Sequence, residues 1–238
     1  MTGAFPGLRR HFPVAVSAEA LALAWARQEA APTGATITVD HEISPRGRLG
    51  RLWQQQAEQT AILAMVWRPN LAAAAADLVW SAASLGLLRA IEDSVDLKPR
   101  LRWPDEVVDE SGQLLGAVRA EMQLGPGRVT SAIVTARVDL ARIGWPERSC
   151  VRDALDTNLA MVAAQLDSEP DTVRAACNAA SAIVGWALIA HILPRGEVRG
   201  TVEGVDANGA LAVVSATGLR QLVPLVGLDR LTVTQAPD

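Results

Sequence analysis

The sequence predicts an α+β fold: a mixed β-sheet with helices packed on one face, followed by a small all-β unit. Two observations support this prediction. Long apolar helical segments alternate with short strand-like segments up to about residue 195, and no helical pattern follows that point. Half of the 238 residues are hydrophobic and a fifth are charged, so the chain can bury a sizeable core. We therefore expect domains at residues 1–195 and 196–238.

The predicted first domain alternates between helical and two-residue periods. Alanine and leucine recur at helical spacing after Ser17, which occupies the position of an N-cap, and ATITVDHEI at 35–43 alternates as a strand does. The apolar window at 181–193 is 13 residues long, too short to cross a bilayer of about 30 Å, and we interpret it as part of a buried helix. The remaining predictions are strands at 61–68 and 129–140, a hairpin turning at 110–112, and helices at 70–93, 147–166 and 170–192.

The predicted second domain contains short alternating strands that are separated by Ala-Asn-Gly and Ala-Thr-Gly turns. This pattern predicts a β-barrel. A unit of about forty residues buries too little surface to be very stable alone, so we expect it to pack on the first domain.

Charge, cysteine usage and missing motifs narrow the function. The net charge of −4 gives no general attraction to nucleic acid or an anionic membrane, so neither is an expected partner. Two cysteines without a pairing pattern, and no recognisable signal peptide, indicate the cytoplasm. The chain contains no GxxxxGK[ST], GxGxxG or GxSxG motif and no zinc-spaced Cys/His set. The three histidines are isolated and are interpreted as packing or surface residues.

The segment Ser44–Trp53, SPRGRLGRLW, is here called the basic loop and follows a predicted strand. Guanidinium groups bind phosphate, glycines let the backbone approach a ligand closely, and an indole offers a flat surface to a base. A solvated basic turn with a packed tryptophan remains the alternative for the loop alone. The residues that fit the three binding tasks are Arg46, Arg48, Arg51, Gly47, Gly50 and Trp53.

A second cluster is RWPDE at 102–106. The proline fixes the turn after Trp103, and the carboxylates of Asp105 and Glu106 could hold Mg²⁺ or orient a substrate group. An ordinary strand end with an acidic, solvated turn is the alternative for this cluster alone.

Taken in order, these segments resemble the biotin–protein ligase family. The family pattern reads GRGRRGRxW, KWPND, KLAGIL and GIGINV, followed by an SH3-like domain. The matching segments here are PRGRLGRLW at 45–53, RWPDE at 102–106, QLLGAV at 113–118, IVTARV at 133–138 and the all-β end. The resemblance implies an SH3-like barrel for 196–238. Longer members begin with a DNA-binding domain, which we do not expect in this chain.

The resemblance also implies a two-step reaction and its partners. Biotin or another carboxylic acid reacts with ATP and Mg²⁺ to form an acyl-adenylate, and a lysine amine of a carrier protein then takes the acyl group. Homodimer formation stays open. The resemblance places catalytic positions at Arg48 and Gln113 and an acid pocket at Ser17, Glu42, Gly116 and Arg137. It places nucleotide and acyl-adenylate contacts at Arg46, Gly47, Arg48, Arg51, Trp53, Arg102, Trp103, Asp105 and Glu106.

Departures from the family pattern concentrate on the acid side of the implied site. Gln113 stands where the family has a phosphate-contacting lysine, and the only lysine of the chain is Lys98. Glu42 and Arg137 stand where the family has glutamine and asparagine. Changes of this kind in a tight pocket normally exclude the original ligand. Two interpretations stay open: a ligase for a different acid, or a catalytically degenerate homologue with a binding or regulatory role.

Overall fold

The computed structural model describes residues 8–53, 57–194 and 196–235, and its larger sheet has seven strands. The strand order is β1-β2-β3-β7-β6-β5-β4; β1 runs parallel to β2 and the other neighbours are antiparallel, so the sheet is mixed, as predicted. Strand β1 was not predicted. The strands are β1 Arg9–Ala15, β2 Thr36–Glu42, β3 Thr60–Trp67, β4 Arg100–Arg102, β5 Glu106–Val108, β6 Leu114–Gly125 and β7 Arg128–Asp139.

Four α-helices accompany this sheet: α1 Ala18–Gln28, α2 Leu78–Ser94, α3 Arg148–Ser168 and α4 Pro170–Ala179. Ser17 is the N-cap of α1, as predicted, because its hydroxyl accepts a hydrogen bond from the Ala20 N–H at 3.4 Å. The prediction that α2 begins at residue 70 is wrong. The Asn70 N–H donates to Asp167 and the Ala73 N–H to Gly127, and these tertiary contacts override the helical propensity of the alanine run.

Helices cover both faces of the larger sheet, so the prediction of helices on one face is wrong. Odd-numbered residues of β3, from Ala61 to Trp67, lie in the larger core with α2 and α3. Even-numbered residues from Ile62 to Val66 lie in a smaller core with Trp25 of α1. Every residue of β3 is buried. An unbroken apolar strand of this kind indicates a sheet that is covered on both sides.

The predicted helix at 170–192 ends at Ala179, and the apolar window at 181–193 is not helical. Residues Ala187–Ile192 form strand β8, which pairs with β9 on one side and β12 on the other. A short apolar run does not distinguish a buried strand from a buried helix by its period. The glycine and proline on either side indicate where the strand begins and ends: Gly185 has a positive φ of 84°, and Pro194 follows the strand.

The second sheet has five antiparallel strands in the order β11-β10-β9-β8-β12. No helix occurs in the described residues from Gly196 onward, in agreement with the sequence analysis. The sheet takes its first strand from before residue 195, and the domain division at that residue stays a prediction. The four later strands are β9 Gly196–Val205, β10 Leu211–Val214, β11 Arg220–Val223 and β12 Leu228–Gln235.

The two sheets share one hydrophobic core. Buried residues of β9 and β10, such as Val202 and Leu211, belong to the same cluster as the buried face of α2. The Trp103 indole N–H also donates to the Gly209 carbonyl at 3.3 Å. The second sheet is therefore packed on the first unit, as its size predicted. In the described parts of the chain, no helix is long and apolar enough to span a membrane.

Candidate functional site

The basic loop folds on itself after β2. The Gly47 N–H donates to the Arg51 carbonyl at 2.8 Å, and the Trp53 N–H donates to the Pro45 carbonyl at 3.1 Å. Between these contacts the chain makes one turn of 3₁₀ helix, in which Leu49 and Gly50 have φ values of 56° and 71°. Glycine adopts this left-handed conformation without strain, which accounts for its presence at position 50.

Two arginines of the basic loop contact the start of β12. The Arg48 guanidinium donates to the carbonyls of Leu228, at 2.6 Å, and Asp229, at 3.1 Å. Arg51 donates to the Asp229 carboxylate at 2.9 Å. Arg46 instead turns back into the loop and donates to the Gly50 carbonyl at 3.0 Å. The loop is thereby held against the second sheet.

A cavity of about 840 Å³ lies beside this contact. Eight of the nine residues predicted to contact the nucleotide or acyl-adenylate line it, and Arg46 does not. The basic loop and the β4–β5 hairpin, which are about 50 residues apart in the sequence, are therefore brought to one place. The eight lining residues are Gly47, Arg48, Arg51, Trp53, Arg102, Trp103, Asp105 and Glu106.

The lining of this arginine-lined cavity has an excess of positive charge, since five arginines face three carboxylates. Two of the five, Arg142 and Arg230, were not among the predicted site residues. Arg142 follows the IVTARV segment by four residues, so its place near the site could have been inferred. Arg230 comes from β12 of the second sheet, and no local pattern indicated it. The arrangement favours an anionic ligand.

Asp105 is the perturbed acid of the cavity. Burial raises the pKa of its carboxyl to about 7, and the nearby Arg48 guanidinium, 3.6 Å away, opposes that rise. Asp105 therefore exchanges a proton near neutral pH. Its neighbour Glu106 forms an ion pair with Arg102 at 2.6 Å.

The four predicted acid-pocket residues lie outside this cavity. Glu42 and Arg137 form a buried ion pair, in which Arg137 Nε donates to Glu42 Oε2 at 2.8 Å. The other Glu42 oxygen accepts from the Ala18 N–H at 2.7 Å, next to Ser17, and Arg137 Nη1 donates to the Arg46 carbonyl at 3.2 Å. The protein's own side chains thus occupy the space beneath the basic loop.

Gly116 and Gln113, which were predicted to lie in the acid pocket and at a catalytic position, do not line the arginine-lined cavity. A Cβ on Gly116 would lie 2.6 Å from the Arg137 carbonyl, so this glycine permits close approach of β6 to β7. Gln113 is exposed in the turn before β6, where its N–H donates to Asp109 Oδ1 at 2.8 Å. The predicted catalytic position at Gln113 does not line the cavity.

The described residues offer no cluster of three or more His, Cys, Asp or Glu side chains able to hold a metal ion. Asp105 and Glu106 are adjacent carboxylates at the cavity wall. Mg²⁺ commonly binds through one or two carboxylates together with substrate phosphates, and this pair fits that mode.

Comparison with known sequences identifies two groups of relatives. No protein-family model matches the chain. The bifunctional ligase/repressor BirA of Bacillus subtilis is 24% identical over 104 residues, which cover 44% of this chain and 32% of that protein. The match thus spans about a third of that relative's length. The biotin–[acetyl-CoA-carboxylase] ligase of Paracoccus denitrificans is 29% identical over 216 residues, covering 80% of this chain and 88% of that protein.

Solved structures show the same fold over nearly the whole chain. The biotin protein ligase of Aquifex aeolicus in complex with biotin and ATP superimposes with a TM-score of 0.76 at 15% identity, covering 95% of this chain and 99% of that one. The biotin protein ligase of Leishmania major in complex with biotin gives a TM-score of 0.63 at 12% identity, covering 93% and 99%.

Proposed function

Since this chain belongs to the biotin–protein ligase family, we propose that it binds ATP in the arginine-lined cavity and activates biotin or another carboxylic acid as its acyl-adenylate. The acyl group then passes to a lysine amine of a carrier protein. The observation that carries this proposal is the convergence of eight predicted nucleotide-contacting residues on one positively charged cavity. The complex of the Aquifex aeolicus protein with biotin and ATP supports the choice of substrates.

The first step requires stabilisation of phosphate charge. A carboxylate oxygen attacks the α-phosphorus of ATP, the bond to the bridging oxygen breaks, and pyrophosphate leaves. Arg48 and Arg51 lie at the cavity wall, where their guanidinium groups would neutralise charge on the phosphates. Mg²⁺ would reach the site with the nucleotide and contact Asp105 and Glu106, and it would supply further charge neutralisation.

The second step requires removal of a proton. The lysine nitrogen attacks the acyl carbon, AMP leaves with the electron pair of the broken acyl–phosphate bond, and the nitrogen loses a proton. Asp105 suits the role of proton acceptor because its pKa of about 7 lies near the working pH.

Titration calorimetry tests the nucleotide site directly. The wild-type chain should bind ATP and a non-hydrolysable acyl-adenylate mimic, and Arg48→Ala should weaken both by roughly 10- to 100-fold. Arg199→Ala is the matched control, because Arg199 pairs with Glu197 on the second sheet and does not line the cavity. A wild-type chain that binds neither compound would contradict the proposal. Acid-dependent pyrophosphate release and labelling of a carrier domain then test the chemistry.

A second candidate function is a catalytically degenerate homologue that acts as a binding or regulatory protein. The observation that favours it is the Glu42–Arg137 pair, in which two of the predicted acid-pocket residues are buried and paired with each other. The exposed, neutral Gln113 adds to this. Nucleotide binding without pyrophosphate release for any candidate acid, and without carrier labelling, would select this function over the ligase.

We also propose the finer features that family membership implies. They are the SH3-like arrangement of residues 196–238, the division of the chain at residue 195, the carrier-domain acceptor, homodimer formation and a cytoplasmic location.

A further inference from the structure

We propose that Arg142 and Arg230 form a subsite for the two terminal phosphates of ATP, the pair that leaves as pyrophosphate. This inference rests on the proposed nucleotide site and adds two residues that the family pattern did not indicate. Both side chains line the arginine-lined cavity; Arg142 follows β7 of the larger sheet, and Arg230 lies on β12 of the second sheet.

The position of Arg142 is fixed by the turn after β7. Asp139 Oδ1 accepts hydrogen bonds from the backbone N–H groups of Ala141 and Arg142, at 3.0 and 3.2 Å. The guanidinium itself is only loosely held, since its Nε lies 3.8 Å from Asp139 Oδ2 and the side chain is half exposed. A separation of 3.8 Å is too long for a hydrogen bond, so the donors of Arg142 remain available to a ligand.

Arg230 enters the cavity from β12, one residue after the Asp229 that holds Arg48 and Arg51. It is exposed, and within the described residues its side chain forms no ion pair. Within that part of the chain its charge helps to lower the pKa of Glu197 without an ion pair between the two side chains, so the Arg230 donors stay available to a ligand.

The other cavity arginines are already engaged. The terminal nitrogens of Arg48 donate to the carbonyls of Leu228 and Asp229, and Arg51 donates to Asp229. Arg102 is paired with Glu106. A triphosphate needs several charge-assisted contacts, and Arg142 and Arg230 are the lining arginines with the most donor capacity left. We therefore assign the terminal phosphates to Arg142 and Arg230. The α-phosphate is assigned to Arg48 and Arg51.

Four ligands separate this subsite from the rest of the nucleotide site: ATP, inorganic pyrophosphate, AMP and a non-hydrolysable acyl-adenylate mimic. Titration calorimetry at constant ionic strength would use wild type, the Arg142→Ala/Arg230→Ala double variant and the Arg199→Ala control. The double variant should bind ATP and pyrophosphate at least about tenfold more weakly than wild type. Affinity for AMP and the mimic should stay within about twofold, because neither carries the terminal phosphates.

Three results would overturn the inference. Unchanged affinity of the double variant for ATP removes the subsite, and an equal loss for ATP and the mimic shows a general electrostatic effect. A wild-type chain that binds neither ATP nor the mimic removes the proposed nucleotide site together with the subsite. Arg142 is half exposed and Arg230 is exposed, so far-UV circular dichroism and thermal unfolding should match those of wild type.

Discussion

Arg137 on β7 and Glu42 at the end of β2 form an ion pair with a 2.8 Å contact, and their side chains are only 2% and 1% exposed. The pair ties together three parts of the chain, since Glu42 also accepts from the first residue of α1 and Arg137 donates to the carbonyl of Arg46. Its net contribution to stability is small or unfavourable when both charges are considered, but removal of one partner leaves the other charge buried alone.

Glu42→Gln should therefore lower the free energy of unfolding by about 3–5 kcal/mol, measured by urea denaturation. The Glu42→Leu/Arg137→Met double variant should recover most of that loss, because it removes both buried charges and retains apolar volume. A double variant that is less stable than Glu42→Gln would show that the pair is a net source of stability.

The same pair should limit access of biotin. The Glu42→Gln/Arg137→Asn double variant carries the family residues at both positions and replaces a large buried side chain with a smaller one. It should bind biotin at least about tenfold more tightly than wild type by calorimetry, because the space beneath the basic loop is reopened. The expectation fails if the wild-type chain already binds biotin as tightly as the variant.

Asp105 should make the binding of anions depend on pH. Deprotonation adds a negative charge to the cavity as the pH rises through about 7, so affinity for a sulfamate-type adenylate mimic should fall between pH 6 and pH 8. Such a mimic has no group of its own that titrates as phosphate does. Asp105→Asn should bind it with little change across that range, and an equally steep profile for the variant would assign the effect to another group.

Asp105 should also make the free energy of unfolding depend on pH. The direction of this dependence is opposite to that of a salt-bridged carboxylate, whose pKa is lowered by folding. Its pKa is raised in the folded state, so the folded chain holds this proton at a pH where the unfolded chain has lost it. Its contribution to the free energy of unfolding therefore falls as the pH rises from about 4 to about 7 and is constant above that. The free energy of unfolding of Asp105→Asn minus that of wild type should increase by on the order of 2 kcal/mol from pH 5 to pH 8. A difference that stays constant over this range would contradict the raised pKa.

Gly116→Ala should be strongly destabilising for a steric reason. The new methyl group would lie 2.6 Å from the backbone carbonyl of Arg137, so the strands must separate. We expect a loss of about 2–3 kcal/mol in chemical denaturation. Gly196→Ala is the control, since its nearest atom would be 3.7 Å away. Equal stability of the two variants would show that β6 adjusts freely.

The sequence predicted those features that depend on local chemistry. The cap at Ser17, the hairpin after β5 and the strands around the basic loop follow from periodicity and turn residues, and the structure contains them. The strand β1 was missed because it is an edge strand with three exposed positions at its start and a proline within it.

The features that could not be predicted depend on contacts between distant segments. The ion pair of Glu42 with Arg137 joins residues 95 positions apart, and the same distance effect hides Arg230. Glu42 and Arg137 were recognisable as departures from the family pattern, and Arg230 as an ordinary charged residue. The sequence did not indicate which distant residues each of them would lie beside. The cavity therefore became apparent only when the second sheet was placed against the basic loop.

The contact between Arg48 and β12 has a consequence for how the two regions can diverge. Arg48 is held by the main-chain carbonyls of Leu228 and Asp229, and every amino acid supplies such an oxygen. The contact with Arg48 thus depends on the course of the β12 backbone and not on the side chain at position 229, whereas Arg48 has no replacement of equal geometry. Selection on this contact would then act asymmetrically: Arg48 is constrained by the contact itself, whereas Leu228 and Asp229 are constrained only by their other roles, in the core and in the pair with Arg51.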